Sequence, residues 1–164
     1  MVLGETHFDT LQVLSNLAHA LGELGQFDEA AALYEDCLRK RSTFHENDID
    51  TLSVMMSLGV TYNRQGQFSK AAAMGKQCLD KRKIVLGETH PDTLQSLANL
   101  AAVLADQGKF FEASTMGVEC LKIRKSVLGE RHPDTLETIA FVAGAYGQQG
   151  RFDEAAALYK QLFE

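Results

Sequence analysis

The chain has 164 residues, 45% hydrophobic and 23% charged, a composition that suits one ordinary soluble domain and excludes wholesale disorder. Its 16 basic and 22 acidic side chains give a net charge of −6, the wrong sign for a surface whose main partner is nucleic acid or an anionic membrane. No apolar run reaches the roughly 18–20 residues of a membrane span and the N-terminus lacks the basic-then-apolar layout of a signal peptide, so a cytoplasmic protein is expected.

In chain order, the first recognisable phrase is LGETHFDTL at Leu3–Leu11. It is followed by an apolar-periodic stretch, a turn at Gly25 and Phe27, and a second periodic stretch carrying Cys37. The next joint, TFHENDIDT at Thr43–Thr51, has neither Gly nor Pro and is one residue short, which predicts a local irregularity. Its Asp50-Thr51-Leu52 again opens a stretch that turns at Gly66 and Phe68 and runs on through Cys78. LGETHPDTL at Leu86–Leu94 starts the third copy, with a turn at Gly108 and Phe110 and then Cys120. LGERHPDTL at Leu128–Leu136 starts the fourth, with a turn at Gly150 and Phe152 and Leu162 in the cysteine position. Four copies at a period of 41 or 42 residues result, expected over approximately 1–43, 44–85, 86–127 and 128–164 of one continuous array, the last shortened in its second half.

Within a copy the apolar residues fall at helical steps of three and four on both sides of the Gly turn. The third shows this most plainly, with Leu94, Leu97, Leu100, Ala101 and Leu104, then Ala113, Met116, Cys120, Leu121 and Ile123. Each copy is therefore two helices and a tight turn. Gly87 and Gly129 are expected to end the second helices in the left-handed conformation. Pro91 and Pro133 fit the first helical position of the helices that follow, where a missing N–H loses no bond. That puts His90 and His132 at or beside the N-cap and Asp92 and Asp134 in the first turn, at the positive end of the helix dipole. The repeated histidine phrase then reads as a stop-and-start signal; joint ligand binding by His7, His90 and His132 is the alternative. Lys81-Arg82-Lys83 and Arg124-Lys125 read as last-turn cations favoured by the dipole.

The cysteines share one repeat position. Neighbouring copies at a helix-packing distance of about 8–10 Å are beyond the roughly 7 Å Cα separation a disulfide allows, so buried, reduced thiols are expected. No metal-ligand cluster, phosphate-binding Gly loop or convergent nucleophile and base is visible, and neither catalysis nor a cofactor is expected.

These features resemble the tetratricopeptide repeat, whose signature is carried in the second copy by Met55, Leu58, Gly59, Tyr62, Gly66, Phe68 and Ala71. In the fourth copy it is carried by Ile139, Val142, Ala143, Tyr146, Gly150, Phe152, Ala155 and Tyr159. The 42-residue length and the LGxxHPDT joint resemble the kinesin light chain variety, and similar arrays occur as sensors in fungal nucleotide-binding signalling receptors. The resemblance implies an all-α, right-handed solenoid of four helix hairpins, eight helices in all, acting as a protein-binding scaffold. Where the family places a large aromatic in the second helix, the outer copies have Tyr34 and Tyr159 and the inner ones Gly75 and Gly117. A closer helix approach is expected there, with a small pocket between the second and third copies as the alternative.

In such arrays the concave wall is mainly the first helix of each repeat. The implied groove residues are Gln12, Asn16, His19, Ser57, Asn63, Arg64, Gln95, Asn99, Asp106, Phe141 and Gln148, with Glu23, Met56 and Val60 among their inward-facing neighbours. Amides such as Asn16 and Asn99 suit an extended peptide, since one side chain offers both a donor and an acceptor. The only cation in that set is Arg64, so a clamp for a C-terminal carboxylate is not expected. Residues 50–86 carry a net +4 while 1–49 carry −6, 87–128 −1 and 129–164 −3. Kinesin light chain arrays take acidic peptides with an aromatic anchor, and Arg64 near Asn99 offers a weak version of that site. The alternative function is head-to-tail self-association, expected from a chain that begins inside a joint and ends within a second helix without polar capping helices.

Overall fold

A computed structural model of the chain describes Gly4, residues 7–42 and residues 48–163, with only the backbone given for Ser42. Residues 43–47 of the irregular joint lie outside the described residues, and the irregularity expected there with them. The described residues form eight helices and no strand: α1 (Phe8–Glu23), α2 (Phe27–Ser42), α3 (Ile49–Arg64), α4 (Phe68–Leu86), α5 (Pro91–Asp106), α6 (Phe110–Leu128), α7 (Pro133–Gln148) and α8 (Phe152–Lys160). They compose two compact units, Met1–Lys81 and Arg82–Glu164. In the first unit α2 packs on both α1 and α3; in the second, α6 packs on α5 and α7, and α8 on α7.

The repeated phrases act as read. His7, His90 and His132 are the N-caps of α1, α5 and α7, each accepting through Nδ1 a bond from the N–H two residues on, at 3.3, 3.2 and 3.2 Å. Pro91 and Pro133 take the first helical position, with Asp9, Asp92 and Asp134 in the first turns. At the other end α6 stops on Gly129, whose φ of 92° and ψ of 164° differ from the left-handed helical conformation expected. This extended positive-φ region is open essentially only to Gly.

Each cysteine ties the two helices of its own hairpin. Cys37, Cys78 and Cys120 donate to the backbone oxygens of Leu11, Leu52 and Leu94, at 3.4, 3.2 and 3.5 Å. All three are free thiols and fully buried.

Arg82 and Arg124 differ from the expected solvated last-turn cations. Both are buried, 5% and 2% exposed. Arg124 Nη1 donates to the Asp134 backbone oxygen and to Thr138 Oγ1, both at 2.8 Å, and Arg82 Nη1 does the same to Asp92 and Ser96 at 2.8 and 3.0 Å. A planar guanidinium can reach carbonyl and hydroxyl together, which an ammonium does less well. The second helix is thus latched to the first turn of the next hairpin. Arg41 holds the equivalent place, 2% exposed and 3.7 Å from Asp50, but Val54 stands where Ser96 and Thr138 supply hydroxyls.

Candidate functional site

The large-to-small alternation along the second helices shapes the surface that the first helices present. At Gly117 an added Cβ would lie 2.8 Å from Val142 Cγ2 and 3.1 Å from the Phe141 ring, so α6 and α7 approach closely there, as expected. In the first unit the large residue is on the other helix. Tyr34 of α2 is buried and hydrogen-bonds Ser57 of α3. Ser57 and Phe141 occupy the same repeat position, as do Tyr34 and Gly117, so an aromatic on one helix faces a small residue on the next and the order is exchanged between the units. Phe141, expected in the groove, is half-buried against Gly117. Gly75 is buried on α4.

In the first unit a cleft of about 410 Å³ opens between α1 and α3. Three expected groove residues, His19, Ser57 and Arg64, line it, together with Glu23, Met56 and Val60 from the same inward set. Tyr34 and Phe27 of α2 also line it. Burial pushes the Tyr34 phenol upward in pKa, with the Ser57 hydrogen bond acting against it. The cleft lining thus combines apolar Tyr34, Met56 and Val60 with one guanidinium, one carboxylate and one imidazole. Asn63 is half-buried on α3 and is not part of this lining.

The remaining expected residues form local pairs. Gln12 Nε2 donates to Asn16 Oδ1 at 3.1 Å in α1. In the equivalent place on α5, Gln95 Nε2 donates to Asn99 Oδ1 at 2.9 Å, and Gln95 Oε1 accepts from Arg124 Nη2 at 3.1 Å. The asparagine carbonyls are thereby oriented by their own helix. Asp106 and Gln148 are exposed at the C-terminal ends of α5 and α7. The reading of the sequence missed that Arg124 supports Gln95. The available signal was the 41- and 42-residue spacing of Arg41, Arg82 and Arg124, which matches the cysteine period.

A second recess of about 380 Å³ lies among α2, α3 and α4, over Leu38, Met55 and Met74. On its wall Tyr62 Oη donates to Glu35 Oε1 at 2.6 Å. Burial first, and the Glu35 carboxylate second, push the Tyr62 pKa up to about 12. Among the described residues no three His, Cys, Asp or Glu side chains converge as a metal site, and no helix is long and apolar enough to cross a membrane.

Helix hairpins joined by capped turns, latched through repeated arginines and lined by first-helix side chains, define a helical repeat protein. The chain belongs to the tetratricopeptide repeat family, whose model matches residues 9–84, 50–125 and 92–164. This fold generally serves as a protein–protein interaction scaffold, and the family is typically non-catalytic. Among solved structures, the nearly identical TPR-like repeats of a candidate kinesin light chain of Podosopora anserina are 26% identical with a TM-score of 0.86, over 98% of this chain and 77% of that one. A single-residue variant of the same repeats gives 26% identity and a TM-score of 0.88, over 98% of this chain and 76% of that one. BtubC (BKLC) from P. vanneervenii shares the fold at 22% identity and a TM-score of 0.87, over 93% of this chain and 61% of that one. No curated protein matches the chain.

Proposed function

We propose that the chain is a non-catalytic scaffold that holds an extended segment of another protein against its first helices. In the first unit, this segment inserts one apolar side chain into the cleft between α1 and α3. The cleft carries the reading, because it gathers residues of opposite polarity in a useful order: Tyr34, Met56 and Val60 for the apolar group, Ser57 and His19 for backbone polar groups, and Arg64 for an acidic neighbour in the ligand. Glu23 in the same lining disfavours a uniformly acidic ligand through like-charge repulsion, which favours a motif with one carboxylate beside its anchor. The non-catalytic part of the reading is supported by how the reactive side chains are engaged: the thiols bond to leucine carbonyls and three histidines cap helices. Buried, reduced thiols also suit a cytoplasmic setting.

A peptide-display selection on the chain, run beside Arg64→Ala, tests this. The expected result is an enriched motif with an apolar anchor flanked by an acidic residue, and a loss of affinity of about tenfold in the variant, the size of one exposed charge-assisted contact. Failure to enrich a motif, or equal binding by the variant, overturns the reading.

A further inference from the structure

The recess among α2, α3 and α4 is a trough with unlike ends. Its residues on α3, Thr51, Met55, Leu58 and Tyr62, follow steps of four, three and four, a line down the helix over roughly 16 Å. They are not the α3 residues that line the cleft, so the two hollows use different sides of that helix. Both walls run antiparallel to α3. On α2, Glu35 meets Tyr62 and Arg41 lies 3.7 Å from Asp50. On α4, Met74 lies against Gly59 and Cys78 donates to the Leu52 backbone oxygen. Arg39 and Lys81 therefore both fall toward the N-terminal end of α3, while Glu35 and Tyr62 stand at the other. Leu38, Met55, Leu58 and Met74 supply the apolar stretch between.

The cationic end is particular to this trough. One repeat on, the places of Arg39 and Lys81 hold Asp80 and Ile123. Arg39 also pairs with Asp36 on its own helix, but the guanidinium is largely exposed, such a pair is weak, and its remaining donors can meet a second carboxylate. At the opposite end the Glu35 carboxylate accepts from the Tyr62 hydroxyl and repels another anion. The two methionines are unbranched and polarisable, and so adapt to the shape of an apolar chain.

We propose that the trough binds a small amphipathic carboxylate, an alkyl chain ending in one acid group. The acid lies between Arg39 and Lys81 and the chain over Met55, Leu58 and Met74. The volume of about 380 Å³ is in the range of small-molecule sites. Polar groups at both ends favour a short molecule over a protein segment, whose chain would continue past Glu35.

Titration calorimetry of the chain with octanoate tests this, with 1-octanol as the chain without the charge and acetate as the charge without the chain. The expected result is binding of a single octanoate, binding of octanol weaker by about tenfold, and no saturable binding of acetate. The double variant Arg39→Gln with Lys81→Gln should weaken octanoate by about tenfold and leave octanol unchanged, a split that loss of fold would not produce. Leu38→Trp, which fills the trough, should remove both ligands; if circular dichroism shows that it loses helicity, the double variant decides alone. Arg64→Ala, in the cleft, should leave octanoate binding as it is. The proposal is overturned by absence of saturable octanoate binding, by equal affinity for octanol, by undiminished affinity in the double variant, or by a folded Leu38→Trp that still binds. Loss of octanoate in Arg64→Ala places the acid in the cleft and overturns it too. Peptide binding in the cleft is read by its own selection, so either proposal can fail alone.

Discussion

Arg41, Arg82 and Arg124 show how one residue type carries much of the joint between hairpins. A buried guanidinium is costly unless its donors are met; Arg82 and Arg124 satisfy Nη1 through a backbone oxygen and a hydroxyl, although the Nε of each has no hydrogen-bond partner among the described residues. At Arg41 the hydroxyl is replaced by Val54, and its Nε and Nη2 find no hydrogen-bond partner among the described residues. Val54→Thr is therefore expected to retain or raise stability in urea denaturation, because the new hydroxyl can accept from Arg41. The same change at Val142, fully buried beside Gly117, should lower stability by about 1–3 kcal/mol. If both substitutions cost the same, the hydroxyl has no special part in the latch. These arginines were visible as a periodic set, yet charge composition alone assigns them to solvent. Burial is decided by the helix that folds over them, which composition does not contain.

The contact between α6 and α7 depends on a missing side chain. Gly in a helix interior costs about 1 kcal/mol relative to Ala, so Gly117→Ala raises intrinsic helix preference. The added methyl, however, would sit 2.8 Å from Val142 Cγ2, closer than side-chain atoms tolerate. Overpacking of this kind costs roughly 1–3 kcal/mol. The expected net effect is a loss of about 1 kcal/mol in denaturant titration, shrinking in a Val142→Ala background where the clash is relieved. A stabilised Gly117→Ala would show that α6 and α7 can separate freely. Helix positions and caps were legible here because Pro, Gly and His act through local backbone geometry. That Phe141 fills the space at Gly117 was not, because it depends on two residues 24 positions apart in sequence meeting across two helices.

Across the whole chain, stability in a repeat array is close to a sum of hairpin terms and nearest-neighbour joints. Arg124→Ala removes charge-assisted bonds and buried packing in the second unit, a loss of roughly 2–4 kcal/mol. Native-state hydrogen exchange should then show weaker protection in α6 and α7, with α1, α2 and α3 unchanged. An equal loss of protection throughout would mean that the chain unfolds as one cooperative block. The same additivity explains why the array was readable at once: a motif repeated four times averages out local ambiguity. The groove residues were less readable. Their inward placement was carried over from the family, and the structure gathers three of the eleven in one cleft while engaging others in helix-internal pairs.

Period, helix ends, turn glycines and the shared place of the cysteines follow from the amino-acid order, because capping, φ preferences and apolar spacing act within a few residues of chain. The burial of the arginines, the exchange of aromatic and small residues between adjoining helices, and the cleft beneath His19, Ser57 and Arg64 come only from tertiary packing. Each of these needs side chains from separate helices to compete for one volume, and linear spacing does not say which of them fills it.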